Sequence, residues 1–193
     1  MQTNPVELVG ERAKLVPMNS SHVEALFAAG RYPEIWTYMF NQVADVEDIE
    51  HLVSSALSAR DTGDEFPFVI IDQATNQVVG STRFLDISSQ HRQLEIGSTW
   101  LTPSVWRTRM NTECKYLLLK HCFEVLETIR VQIKTDRRNV QSQRAIERLG
   151  AVKEGVLRRH RILPDGYVRD TVYYSVIDEE WPAVKARLEA FLG

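Results

Sequence analysis

The sequence predicts an α/β fold built on a mixed, twisted sheet of about seven strands. Three observations carry that prediction. Residues 93–101, 111–126 and 130–135 read as strand, long helix and strand, and a right-handed crossover of this kind makes its two strands parallel. Residues 152–162 and 167–176 flank Pro164-Asp165-Gly166, a turn signal that makes that pair an antiparallel hairpin. Between them, residues 139–151 open on Asn139 and close on Gly150, as a capped helix does.

The remaining elements follow in order. Residues 8–16 read as a first strand, with Met18 starting the turn after it. Asn19 or Ser20 then caps a helix through Ala29. Residues 33–38 are a short helical piece carrying Trp36 and Tyr38. Residues 45–59 place Ile49, Leu52, Val53, Ala56 and Leu57 on one helix face. Residues 66–71 and 77–86 are strands joined by the polar turn 72–76. In the strand 93–101, Leu94, Ile96, Ser98 and Trp100 alternate with Glu95, Gly97 and Thr99, so the two sets face opposite ways. The helix 111–126 carries an apolar stripe of Leu117, Leu118, Cys122, Val125 and Leu126. Asp178 caps a last helix that tolerates Pro182 in its first turn.

Composition narrows the function classes. A chain of 193 residues, 44% hydrophobic, buries a full core, and no linker or repeat divides it, so residues 1–193 read as one domain. No apolar run approaches the length of a membrane span, which argues against a membrane partner. The opening Met1-Gln2-Thr3-Asn4-Pro5 lacks a signal pattern, so a cytoplasmic protein is expected. Cys114 and Cys122 lie eight apart on one helix, about 12 Å of rise, too far for a disulfide, and no ligand cluster suggests a metal. Residues 130–161 hold ten Lys and Arg against three Asp and Glu, while the whole chain is at −3. That asymmetry fits a basic wall facing a phosphorylated cofactor opposite an acidic acceptor side. It fits a mixed solvated helix face equally well, and no nucleic-acid partner is expected.

Two polar helix openings stand out, and the first is an anion site, because a first helical turn has unpaired N–H groups and the positive end of the helix dipole. One is the loop Trp106-Arg107-Thr108-Arg109-Met110-Asn111-Thr112-Glu113; the other is Asn139-Val140-Gln141-Ser142. Together with Gly150 and the strand 93–101, they resemble the acetyl-CoA site of the GNAT acyltransferase superfamily. The opening 8–17 (Leu-Val-Gly-Glu-Arg-Ala-Lys-Leu-Val-Pro), Leu-Arg-Arg-His at 157–160, Pro-Asp-Gly at 164–166 and the stretch 170–175 resemble its ribosomal-protein N-acetyltransferase branch, RimJ/RimL-like. So does the spacing of Trp106, Thr108, Asn111, Glu113 and Lys115.

The resemblance implies the GNAT fold, with helices on both faces of the sheet, and acetyl-CoA as co-substrate. It implies an N-acetyltransferase that moves an acetyl group to a primary amine, either a protein N-terminal α-amine or a small amine, by direct attack in a ternary complex. Homodimers are common in such families, so a homodimer is possible. The cofactor arm would lie in a gap between the strands 93–101 and 130–135, against the backbone of Trp100 and Leu101. Arg107, Thr108, Arg109, Met110, Asn111 and Thr112 would hold the pyrophosphate. The family's loop has glycine or alanine where Arg109 and Asn111 stand, and Arg or Gln where Trp106 stands. Asn139 would bind the pantetheine arm; as a residue type it is equally a plain N-cap. A tyrosine acid seven residues after that asparagine is replaced by Ile146, which leaves Ser142 to contact the thiol or to serve as an ordinary capping serine. Glu95 would be the general base; its alternative is a salt bridge to Arg83 or Arg92.

Acyl transfer needs a neutral amine, and an α-amine, with pKa about 7.7–8.0, is already partly neutral near pH 7. A lysine acceptor would have to be held about three pH units lower than its ordinary value, so the α-amine is favoured. His91 lies in a turn, and Cys114, inside a core helix, is a poor nucleophile. Trp36, Tyr38, Phe84, Tyr167, Tyr173 and Tyr174 are candidates for the acceptor side or for the core. Arg169-Asp170, polar within a strand-like run, reads as cleft lining or as an edge-strand pair. The alternative from another class is a CoA-binding sensor without catalysis.

Overall fold

A computed structural model describes residues 6–193; the pentapeptide Met1–Pro5, on which the cytoplasmic expectation rests, lies outside the described residues. These residues form an eight-stranded sheet. In chain order the elements are β1 (Leu8–Val9), β2 (Ala13–Pro17), α1 (Val23–Gly30), α2 (Val46–Asp61), β3 (Phe66–Asp72), β4 (Gln77–Ser88), β5 (Gln93–Leu101), α3 (Met110–Glu124), β6 (Arg130–Asp136), α4 (Val140–Leu149), β7 (Val152–Ile162), β8 (Val168–Ile177) and α5 (Trp181–Leu192). The strand order is β1-β2-β3-β4-β5-β6-β8-β7, and β5–β6 is the single parallel pair among neighbours that otherwise run antiparallel.

The eighth strand arises because residues 8–16 are broken at Gly10–Arg12 into a tight β1–β2 pair. The cause lies 100 residues away. Glu113, in the first turn of α3, is buried, and its carboxylate accepts from the backbone N–H groups of Glu11, Arg12 (3.1 Å) and Ala13 (2.9 Å). A Cβ at Gly10 would collide with that carboxylate, so glycine is required there by close approach rather than by its own φ.

Helices cover both faces of the sheet. On one face, α3, α4 and α5 bury Cys114, Leu118, Cys122, Ile146, Leu149, Val184 and Leu188 against Phe68, Phe84, Ile96, Val131 and Val172. Each such aliphatic side chain contributes roughly 1.5–3 kcal/mol. The α3 stripe is therefore displaced from the expected one, and Val125 is 65% exposed. On the other face, α1 and α2 bury Leu26, Ile49, Leu52 and Val53 against Val16, Val69 and Trp100. This second cluster draws on the β1–β5 half of the sheet. Over β6 and β8 the same face carries Gln132, Lys134, Asp136, Arg169, Thr171, Tyr173 and Ser175, all at alternate positions.

Capping follows the sequence at Asn19 and Asn139, and the structure adds a cap at Asp45. Asn19 caps a short 3-10 turn (Ser20–His22) that leads into α1, Asp45 caps α2, and Asn139 caps α4, which ends on Gly150 at φ 107°. Asp178 does not cap the last helix: α5 starts at Trp181, and the Asp178 carboxylate accepts from the Glu179 N–H instead.

If the Glu113 carboxylate fixes the β1–β2 turn, Glu113→Ala leaves three backbone donors without their acceptor. It is expected to lose about 3 kcal/mol of stability in urea denaturation. Glu113→Gln, which keeps one acceptor oxygen, is expected to lose less.

Candidate active site

The site is built where β5 and β6 part. Their ladder has three pairs, Gln93↔Arg130, Leu94↔Val131 and Glu95↔Gln132, and beyond Glu95 the two strands are unpaired. A bulge drives β5 away: between Ser81↔Trp100 and Arg83↔Gly97, Thr82 alone faces both Ser98 and Thr99, and Ser98 takes φ 47°. The extra residue also reverses the alternation. Leu94 and Ile96 face α3, but Trp100 faces α1 and α2, with its ring 5.2 Å from Trp36. Trp100 therefore shares a face with Glu95, not with Leu94 and Ile96 as strict alternation had placed it.

Past the gap, each strand delivers a helix N-terminus: β5 leads to α3 and β6 to α4, side by side at the carboxyl ends of a parallel pair, where α/β sheets bind ligands. Arg148 in α4 donates to Thr112 Oγ1 in α3 at 3.2 Å and ties the two together. Asn139 Oδ1 accepts from the Ser142 N–H at 2.9 Å, which leaves the Asn139 amide nitrogen for other partners. Ser142 is half-buried, and Ile146 is buried in the core, so that position offers no acid.

The loop before α3 is held by side chains. Trp106 Nε1 donates to the Leu101 carbonyl at 2.7 Å. Thr108 Oγ1 donates to the Val105 carbonyl (2.7 Å) and accepts from the Met110 N–H (3.2 Å). Arg107, exposed, sits at φ 60°. The Arg109 guanidinium pairs with Glu11 (3.0 Å) and donates to the Leu192 carbonyl, so it is engaged away from the helix axis. Met110 and Thr112 are buried, and Asn111 is half-buried; the Met110 N–H is already taken by Thr108 Oγ1, so of the two buried residues only Thr112 could face an anion, through its backbone.

Glu95 stands at the vertex of the gap. Its carboxylate pairs with Lys134 (2.7 Å) and accepts from Gln132 Nε2 (2.9 Å). Neither expected partner reaches it: Arg83 pairs with Glu65, and Arg92 donates to the Glu127 carbonyl. Burial raises the Glu95 pKa, and the hydrogen bonds and charge of Lys134 only partly oppose it. Burial also pulls Lys134 down, but Glu95 and Asp86 more than reverse that and hold it above its ordinary value. The two outcomes differ because the Glu95 side chain is 5% exposed and that of Lys134 21%.

Around this pair lies the polar floor. Lys134 sits 5.7 Å from the Tyr173 ring, and His160 Nδ1 is 3.1 Å from Thr171 Oγ1. Buried Asp136 pairs with Arg138 (2.9 Å), which stacks at 3.4 Å on Tyr167 and lies 5.5 Å from Tyr38. Tyr38, Tyr167 and Tyr173 thus border the cleft. Trp36, Phe84 and Tyr174 are core, and the Tyr174 hydroxyl donates to Glu147. Arg169 lines the cleft, whereas Asp170 pairs with Arg137 and accepts from the Arg159 N–H. The basic charge is therefore not confined to the cofactor side, because Lys134, Arg138 and Arg169 all reach the opposite face.

The family model for the acetyltransferase (GNAT) domain matches residues 12–152. The chain belongs to the GNAT acetyltransferase family. An uncharacterised N-acetyltransferase of Bacillus subtilis strain 168, YoaA, is 27% identical over 172 residues, 86% of this chain and 94% of its own. A GCN5-related N-acetyltransferase from Brucella melitensis superposes with a TM-score of 0.92 at 31% identity, over 99% of this chain and 87% of that one. The fold is shared with Mycobacterium smegmatis RimJ in complex with CoA-disulfide (TM-score 0.76, 23% identity, covering 92% and 88%). Both cysteines are buried, and burial pushes the Cys114 thiol up to about 12, which removes it as a nucleophile. No group of three or more possible metal ligands occurs among the described residues.

In the sequence Lys115 figures only as part of the Trp106–Lys115 spacing, with no role attached. It is buried beneath β5, donates to Thr99 Oγ1 at 2.6 Å, and is pushed down to about 8, chiefly by burial. A lysine depressed on folding binds fewer protons in the folded than in the unfolded chain between about 8 and its ordinary 10.5. Stability must therefore rise with pH across that window. Lys115→Met is expected to abolish the rise and to be at least as stable as the wild type at pH 7, as denaturation midpoints across pH 7–10.5 would read.

Proposed function

We propose that the chain, as one N-acetyltransferase domain, moves an acetyl group from acetyl-CoA to a primary amine by direct attack in a ternary complex. The acceptor is a protein N-terminal α-amine or a small amine. The observation that carries this reading is the gap between β5 and β6 with Glu95 at its vertex.

The residues present fit acetyl-CoA. Two helix N-termini flank the gap, and first-turn N–H groups, which have no partner within a helix, suit its phosphates. The CoA-bound RimJ that shares this fold supports the same ligand here. When bound, acetyl-CoA supplies a thioester carbonyl as the electrophile. The chain's own groups do the rest. Asn139, with its amide nitrogen left over from capping, binds the pantetheine arm. Glu95 takes the proton of the incoming amine, and its raised pKa makes it a stronger base than an exposed carboxylate. Lys134 keeps that carboxylate ionised, and Gln132 fixes its orientation. On the cofactor side the Ser142 hydroxyl contacts the departing thiolate as a hydrogen-bond donor.

The first test is calorimetry with acetyl-CoA, followed by thiol release on a panel of amines and N-terminal peptides. Binding with amine-dependent release supports the transferase; binding without release on any acceptor would favour a CoA sensor. Given turnover, Glu95→Gln is expected to lower kcat about 10²–10³-fold with acetyl-CoA affinity unchanged. Lys134→Met removes the cation that favours the ionised carboxylate, so the rising limb of the pH–rate profile is expected to move up by about one pH unit.

A further inference from the structure

Three cations reach the polar floor of the cleft, and two are neutralised there. Lys134 pairs with Glu95 and Asp86, and Arg138 with Asp136. Arg169, on β8, is 7% exposed and forms no ion pair among the described residues. Its Nε donates to Thr171 Oγ1 at 3.1 Å, and its guanidinium lies 5.0 Å from the centroid of Phe40. Neither terminal nitrogen has a hydrogen-bond acceptor among the described residues. Arg161 stands directly opposite Arg169 across the β7–β8 ladder, a like-charge pairing that sheets disfavour.

An arginine stays protonated at any working pH, so this is a permanent charge on a largely buried side chain. Its unpartnered terminal nitrogens are not fully buried, so they are open to an incoming anion. Glu95 and Asp136 are near enough to favour the charge, and Arg138 to oppose it, which places Arg169 in the same cleft as the proposed base. The opening has one cation without an ion-pair partner, a planar fork and an aromatic wall. A single planar carboxylate matches that set through two parallel N–H···O bonds.

We propose that Arg169 receives a carboxylate of the acceptor, so that the substrate class is an amine bearing a carboxylate close to the reacting nitrogen. This rests on reading the cleft as the acceptor side of an N-acetyltransferase. The carboxylate comes from a free amino acid or from an acidic side chain at the start of a peptide, and matched substrates separate the two sources.

The test compares wild type, Arg169→Gln and Arg169→Lys on free amino acids against their amides, and on N-terminal peptides with Asp against Asn in the first two positions. Wild type is expected to show at least tenfold higher kcat/KM for the carboxylate member of one series. Arg169→Gln should remove that preference with KM for acetyl-CoA unchanged, and Arg169→Lys, which keeps the charge but not the fork, should restore it in part. Equal use of both members by wild type, or equal loss on both in Arg169→Gln, overturns the proposal. If no amine releases thiol, the transferase reading fails separately. Calorimetry with N-acetylated amino acids and peptides in the presence of CoA then decides this one: tighter binding of the acids than of the amides in wild type alone sustains it, and equal binding overturns it.

Discussion

The parallel ladder between β5 and β6 ends after three pairs, and most of what the molecule can do depends on that ending. An unpaired stretch within a sheet exposes backbone groups that would ordinarily be satisfied by a neighbour. Here it is imposed by the bulge at Ser98, a non-glycine residue held in the left-handed region, where strain persists only if the surroundings enforce it. The surroundings do so. Thr99 is gripped by Thr82 and Lys115 from the α3 side, and Trp100 is locked against Trp36 from the other. Once β5 and β6 diverge, their carboxyl ends carry the starts of α3 and α4 to either side of one opening, with Glu95 at its base.

Charge on the two sides of β5 is arranged unequally. On the open side, buried Glu95 is paired with the more exposed Lys134, which keeps the carboxylate ionisable and usable. On the closed side, Lys115 is buried with one hydroxyl acceptor, and burial lowers its hold on a proton. A buried ionisable group is a weak device for stability, since apolar replacements of similar volume are often neutral or better. The stability that these groups forgo is consistent with a region selected for what it binds rather than for how tightly it packs.

The strands and helices were legible because their signals are local. Alternation, the Pro164-Asp165-Gly166 turn, the Asn19 and Asn139 caps and Gly150 each act within a few residues. What the sequence hid depends on distant partners. Nothing near Gly10 announces a carboxylate from α3, so residues 8–16 read as one strand. Nothing near Ser98 announces a bulge, so Trp100 was placed on the wrong face. In the site, Glu95 and Asn139 were visible as residue types, whereas Gln132, Lys134 and Tyr173 were not visible as partners. Their alternation with Val131, Ile133 and Val172 is the ordinary pattern of a strand with one wet face. Only the topology shows that this wet face is a cleft flanked by α1 and α2.

The glycine-poor loop before α3 follows the same logic. A glycine in such a loop serves where the backbone needs positive φ or where a ligand must approach closely. Arg109, at a family glycine position, has φ −70° and ψ −9°, an ordinary helical conformation, and Asn111 lies within α3 itself. The one left-handed residue of the loop is Arg107. Conformational freedom is therefore not what positions 109 and 111 require in this chain. The loop is instead shaped by contacts that glycine could not make: the Trp106 indole on the Leu101 carbonyl, Thr108 on the first turn of α3, and Arg109 on Glu11 and the C-terminal Leu192. Glu113 completes the set by seizing the β1–β2 turn. A loop braced by its own side chains, on the Leu101 and Leu192 carbonyls and on Glu11, can hold a helix N-terminus as firmly as one shaped by glycine. The missing glycines thus change how the anion site is supported without removing the dipole and N–H groups that form it.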